Sequence, residues 1–134
     1  MAAYKLVPHG TRVLVLDDNH GIRDILLECL TDCGCNAIGA TSVPEAILRL
    51  EDFKPHVIIS DIQMPGEDGF AFIKQLRSRI PSQGGKTPVI AVSGSGIPEH
   101  QILEAGFQAF LPKPVDVKIL AQTVADLIGT QIHG

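Results

Sequence analysis

The chain has 134 residues, 45% hydrophobic and 19% charged, which suits one compact soluble domain and excludes an intrinsically disordered polymer. A formal charge of −4 and a pI near 5.6 exclude a general nucleic-acid binder, because neutralising phosphates requires a dense Lys and Arg surface. No apolar run approaches the ~20 residues that cross a bilayer, and Met1 to Arg12 lacks the apolar core of a signal peptide, so no membrane contact is expected and the expected address is cytoplasmic.

Five β-rich runs alternate with five helical segments, the pattern of an α/β domain built on a parallel sheet. The run from Arg12 to Asp17 is almost continuously apolar until its last residue, as expected for a central strand covered on both faces. Ile22, Ile25, Leu26, Cys29 and Leu30 then recur at helical spacing, predicting a helix that packs this face on the sheet and stops near Gly34. Asn36 to Ala40 is a weaker strand suited to an edge. Ser42 and Glu45 have the spacing of a capping box and open a second helix with Ile47 and Leu50 inward. Val57 to Asp61 is another buried strand, followed by a helix from about Gly69 through Phe70, Ile73 and Leu76. The turn from Pro81 to Lys86 contains Gly84-Gly85 and is expected to be mobile. Pro88 to Ser93 is the last core strand, and residues 98–105 form the shortest, most polar helix, the element expected to move. Ala109 to Leu111 suits the opposite edge, and Asp116 caps a helix carrying Val117, Leu120, Val124 and Leu127. Residues 1–134 read as a single domain with a core at about 12–129 and flexible tails at 1–10 and 130–134.

Cys29, Cys33 and Cys35 are odd in number and lack CxxC spacing, so they read as small apolar residues rather than disulfide or zinc ligands. The histidines at 9, 20, 56, 100 and 133 form no ligand pair by spacing, and His20 alone lies close to an acidic pair.

The ends of the strands carry the chemistry, since open parallel sheets bind ligands outside their carboxyl edge. Asp17 and Asp18 end the first strand, Asp61 the third and Ser93 the fourth, while Lys113 follows the fifth between two prolines. Taken singly, these residues also read as a turn and helix cap, a loop serine and a surface lysine. Converging on one rim, three carboxylates need a neutralising cation, and an oxygen-only set of this kind suits Mg²⁺, with Mn²⁺ as a substitute. Asp61 is then placed to attack phosphorus, Lys113 to balance charge, and Ser93 to donate a hydrogen bond to a phosphoryl oxygen.

Asp17-Asp18, the segment from Asp61 through Met64-Pro65 to Gly69, Ser93-Gly94 and Lys113-Pro114 stand in order at matching strand ends. Together they resemble the receiver domain of response regulators in two-component phosphorelay signalling, over Arg12 to about Gly129. The stretches 81–88 and Leu111-Pro112-Lys113-Pro114 are similar to receivers attached to hybrid histidine kinases. The resemblance implies a doubly wound, flavodoxin-like (βα)5 fold with strand order 2-1-3-4-5. It also implies phosphorylation on Asp61 and Mg²⁺ held by Asp18, Asp61 and the backbone carbonyl of Gln63, with Asp17 acting through water. Ser93 and Phe110 are implied as switch residues, and Gln63 and Ser95 as residues that tune the lifetime of the phosphoaspartate. The sequence does not separate a gating Phe110 from a plain packing aromatic.

The implied partners are a histidine kinase or a histidine phosphotransfer protein, with a possible homodimer through the face of the fourth helix, fifth strand and fifth helix. The reading is a phosphoacceptor switch rather than an enzyme acting on a diffusing substrate, with only self-catalysed phosphotransfer and autodephosphorylation. A phosphorylation-independent docking module is the alternative. An aspartate-nucleophile phosphohydrolase is less favoured, because its Asp-x-Asp arrangement is replaced here by adjacent aspartates. A flavin or nucleotide module would need a phosphate-cradling loop where Asp17-Asp18-Asn19 would repel phosphate.

Overall fold

The computed structural model describes residues 7–94 and 96–133, with side chains described through Gly129. The elements run β1 (Arg12–Leu16), α1 (His20–Asp32), β2 (Asn36–Ala40), α2 (Val43–Asp52), β3 (Val57–Asp61), α3 (Gly69–Arg77), β4 (Val89–Ser93), α4 (Glu99–Glu104), β5 (Ala109–Pro112) and α5 (Val117–His133). The five strands are parallel in the order β2-β1-β3-β4-β5, so the reversal of strand order falls between β1 and β3. β3 and β4 are buried along their whole length and β1 along nearly all of it, as continuous apolar runs require of central strands. β2 and β5 are partly exposed edges.

Alternating side chains of these strands feed two hydrophobic layers. Val13, Val15, Val57, Ile59, Ile90 and Val92 pack against Leu26 and Leu30 of α1 and Leu120, Val124 and Ile128 of α5. Leu14, Leu16, Ile58, Val89 and Ala91 face Ala46 and Leu50 of α2, Phe72, Ile73 and Leu76 of α3, and Ile102 of α4. Each fully buried Leu, Ile or Phe contributes roughly 1.5–3 kcal/mol by leaving water, so these layers hold the rim of the sheet in place.

Several local expectations change on inspection. Ile25 is 62% exposed, because it is rotated away from the stripe of Ile22, Leu26 and Leu30, and Cys29 is only half-buried. Leu127 is likewise partly buried, while Ala121 and Ile128 take inward positions on α5. The packed core begins before Arg12: Val7 is buried against the α1–α5 layer, and Gly10 N–H donates to Gly34 C=O at 2.8 Å. α5 also continues to His133, past the expected end of the core; residues 1–6 and 134 lie outside the described residues.

The Gly84-Gly85 turn is stitched rather than loose. It carries a short 3-10 turn at Pro81–Gln83, Arg77 donates to the carbonyls of Gly85 and Thr87, and Arg79 donates to that of Gln83. α4 is the shortest helix, and its N-cap, Pro98, makes no side-chain capping bond. The three thiols are free, and burial pushes all of them up, Cys35 to about 11, which accords with apolar packing residues.

Candidate functional site

β1 hands over to α1 through Asp17, Asp18 and Asn19. The Asp17 carboxylate accepts the Asn19 N–H at 2.8 Å, and Asn19 caps α1 by accepting the Ile22 N–H at 3.0 Å. The turn-and-cap role therefore belongs to Asn19, with Asp17 supporting it from a position only 2% exposed. Asp18 is exposed, and its carboxylate takes no hydrogen bond from the described residues.

β3 delivers Asp61, 4% exposed, next to the first strand. The loop behind it closes through Gly69, whose N–H donates to Ile62 C=O at 2.8 Å. A Cβ on Gly69 would lie 2.6 Å from the Asp61 carbonyl oxygen and 2.7 Å from the Ile62 Cα. Only glycine lets the start of α3 approach the acid-bearing backbone this closely. Asp68 caps that helix by accepting the Ala71 N–H.

β4 and β5 bring the remaining groups. Ser93 is 2% exposed, and its carbonyl accepts the Lys113 N–H at 3.1 Å, tying the lysine to the end of β4. The Lys113 ammonium lies 3.2 Å from Asp61 Oδ1 and 3.9 Å from Asp17 Oδ2. The Lys113–Pro114 peptide is cis.

One oxygen from each of Asp17, Asp18 and Asp61 lies within 4.8 Å of the others, so the expected carboxylate cluster is present. Burial, reinforced by the neighbouring Asp17, pushes the Asp61 carboxyl above its ordinary range; the Lys113 charge and the Gln63 N–H pull the other way. Two buried carboxylates against one ammonium leave uncompensated negative charge beside the exposed Asp18. Hard oxygens, excess negative charge and an open rim fit Mg²⁺.

The other expected residues sit around this cluster. Gln63 is exposed, and its N–H points to Asp61 Oδ1 at 3.4 Å, a long contact. Phe110 is half-buried against the layer that holds Phe72 and Ile102. Ser95 lies outside the described residues. His20 is exposed and bonds to Asp24 at 3.2 Å and to Arg23 at 3.2 Å.

Gly69, which closes the motif read after Asp61, matters for its missing side chain. One contributor escapes a reading by motif. Arg23, whose guanidinium donates to the Asp17 carbonyl at 2.8 Å, looks in the sequence like an ordinary helix-surface cation. Its only signal is its position one turn into the helix that follows the acidic pair. Beside Lys113, a groove of about 390 Å³ is lined by Ile22, Ile25, Leu26, Pro114, Val115 and Val117.

Comparison with known proteins meets the same residues. The family model of the response regulator receiver domain matches residues 13–125. A 14.6 kDa protein of Leptolyngbya boryana is 37% identical over 106 residues, covering 78% of this chain and 79% of that protein. The sensory/regulatory protein RpfC of Xanthomonas campestris is 37% identical over 121 residues, 87% of this chain but 16% of its own length. The chain thus spans most of one relative and a small part of the other. Chemotaxis protein CheY4 of Vibrio cholerae superposes with a TM-score of 0.80 at 30% identity, covering 88% of this chain and 98% of that one. A parallel sheet in 2-1-3-4-5 order, an acidic cluster at its carboxyl edge and this match over most of the sequence have one reading: the chain belongs to the response regulator receiver domains of two-component signalling.

Proposed function

We propose that Asp61 accepts a phosphoryl group from a phosphohistidine on a histidine kinase or a histidine phosphotransfer protein. The observation that carries this reading is the placement of Asp61: a buried carboxylate at a strand end, 3.2 Å from the Lys113 ammonium, within a cluster of three acids. An Asp61 oxygen forms the new O–P bond as the P–N bond breaks. The electron pair returns to the imidazole nitrogen, which takes a proton from solvent.

Asp18, Asp61 and the Gln63 carbonyl would hold Mg²⁺, with Asp17 acting through water and Mn²⁺ able to substitute, and the ion would supply charge to balance the incoming phosphoryl oxygens. Lys113 transfers its pairing from the Asp61 carboxylate to a phosphoryl oxygen. Ser93 donates its hydroxyl to another, and Phe110 turns further into the α2–α4 layer as Ser93 moves. Gln63 and Ser95 govern how water reaches the phosphoaspartate, and hence how long it lasts. The altered face of α4, β5 and α5 is the output, used by a downstream partner or a second copy of the chain. The donor protein seats on the apolar groove beside Lys113, which borders the rim on the α1–α5 side.

The test is intact-mass measurement after incubation with acetyl phosphate and Mg²⁺. Gain of one phosphoryl group that requires Mg²⁺ and is absent in Asp61→Asn is the expected result. No gain by the wild type, with either acetyl phosphate or a cognate kinase as donor, would replace this reading with a phosphorylation-independent docking module.

A further inference from the structure

The geometry points to Arg23 as a positioning residue that sets the Asp17–Asp18 peptide and, through it, the presentation of Asp18 to a divalent cation. This rests on the metal reading above and adds a residue that no motif supplies. Asp18 is an exposed carboxylate without a hydrogen bond from the described residues, so its direction is set by its backbone. That backbone is held on both sides. The carbonyl preceding Asp18 accepts the Arg23 Nη1 donor at 2.8 Å, and the N–H following it is held by the Asp17 carboxylate at 2.8 Å. With one peptide plane pinned on each flank, the Asp18 side chain leaves the chain in a fixed direction.

Arg23 is itself placed by an unusual neighbour. Gly39, in the edge strand β2, leaves a slot into which the arginine stem fits: a Cβ at position 39 would lie 2.8 Å from Arg23 Cδ, 3.3 Å from its Cγ and 3.2 Å from Leu27 Cδ1. The stem therefore runs across β2 to reach the end of β1. Nη2 meets His20 Nδ1 at 3.2 Å, and His20 in turn meets Asp24, which braces the guanidinium from the solvent side. A planar, multiply bonded guanidinium fixes a carbonyl more rigidly than a single ammonium does. Outer partners that orient metal ligands are worth a measurable share of metal affinity.

The charge of Arg23 works against this role, because a cation near the site disfavours a second cation. The experiment has to separate the two effects. Mn²⁺ binding is followed by the loss of free-ion EPR signal in wild type, Arg23→Ala, Arg23→Lys and Gly39→Ala at high ionic strength, where removal of one charge is screened. Thermal unfolding is recorded alongside. Gly39→Ala retains every charge and meets side-chain atoms rather than backbone, the Arg23 stem at 2.8 Å and Leu27 Cδ1 at 3.2 Å, so the strand tolerates it while Arg23 is displaced.

The expected result is Mn²⁺ binding at least about threefold weaker in Arg23→Ala, partial recovery in Arg23→Lys, and weakening in Gly39→Ala with its melting temperature unchanged. Combining Arg23→Ala with Gly39→Ala should weaken binding no further than Arg23→Ala alone. Wild-type binding with an unchanged Arg23→Ala overturns the role of Arg23 and leaves the metal reading standing. Failure of the wild type to bind Mn²⁺ overturns both.

Discussion

Asp61 is stabilised and strained by its surroundings at once. Lys113 attracts it at 3.2 Å, yet burial and the Asp17 charge prevail and its proton is held more tightly in the fold than in the unfolded chain. Such a group favours the folded state below its unfolded value of 3.8, and that contribution is lost as pH rises through the elevated native value. Ionising Asp61 in the cation-free protein therefore carries a cost. Asp61→Asn should stabilise the cation-free protein in urea unfolding at neutral pH, with the advantage disappearing below the carboxylate range. A variant less stable than wild type at neutral pH would mean that the Lys113 pair outweighs the crowding. The identity of these residues was legible in the sequence because each acid ends an apolar run, where side chains have no core to enter. Gly69 was legible as the close of the motif after Asp61; Arg23 was not, because it acts through its stem and one bond to a backbone carbonyl.

At the scale of elements, the strands and helices follow closely from periodicity, and the differences have local causes. Ile25 repeats at helical spacing but lies off the buried stripe, a distinction of angle that a list of apolar positions does not carry. The glycine pair at 84–85 looked mobile because composition records what a segment permits, whereas its hydrogen bonds come from Arg77, several residues upstream. Arg77 ends α3 and also bonds the Gly106 carbonyl twice and the Gln108 side-chain oxygen, which accepts the first N–H of β4 as well. One guanidinium thus joins α3, the turn before β4 and the connection from α4 to β5. Arg77→Met keeps much of the stem but leaves those acceptors unpaired, and should cost about 2–3 kcal/mol in urea unfolding. A loss below about 0.5 kcal/mol would show that water replaces the guanidinium freely.

For the molecule as a whole, the sheet separates the layer of α1 and α5 from that of α2, α3 and α4. The groove beside Lys113 lies on the α1–α5 side, with Ile25 exposed at its lip. If the donor protein seats there, Ile25→Asp should slow phosphotransfer from a cognate kinase by about tenfold, as loss of an apolar anchor does, while leaving phosphorylation by acetyl phosphate unchanged. Equal slowing with both donors would place the defect at Asp61 instead. The partition has a consequence for traffic around the protein. A partner resting on the groove covers the start of α5 at Val117, which also belongs to the proposed output face, whereas a partner confined to α4 lies across the sheet. Under the proposed function, readout confined to α4 can overlap with loading in a ternary assembly, while readout through α5 waits for the donor to leave.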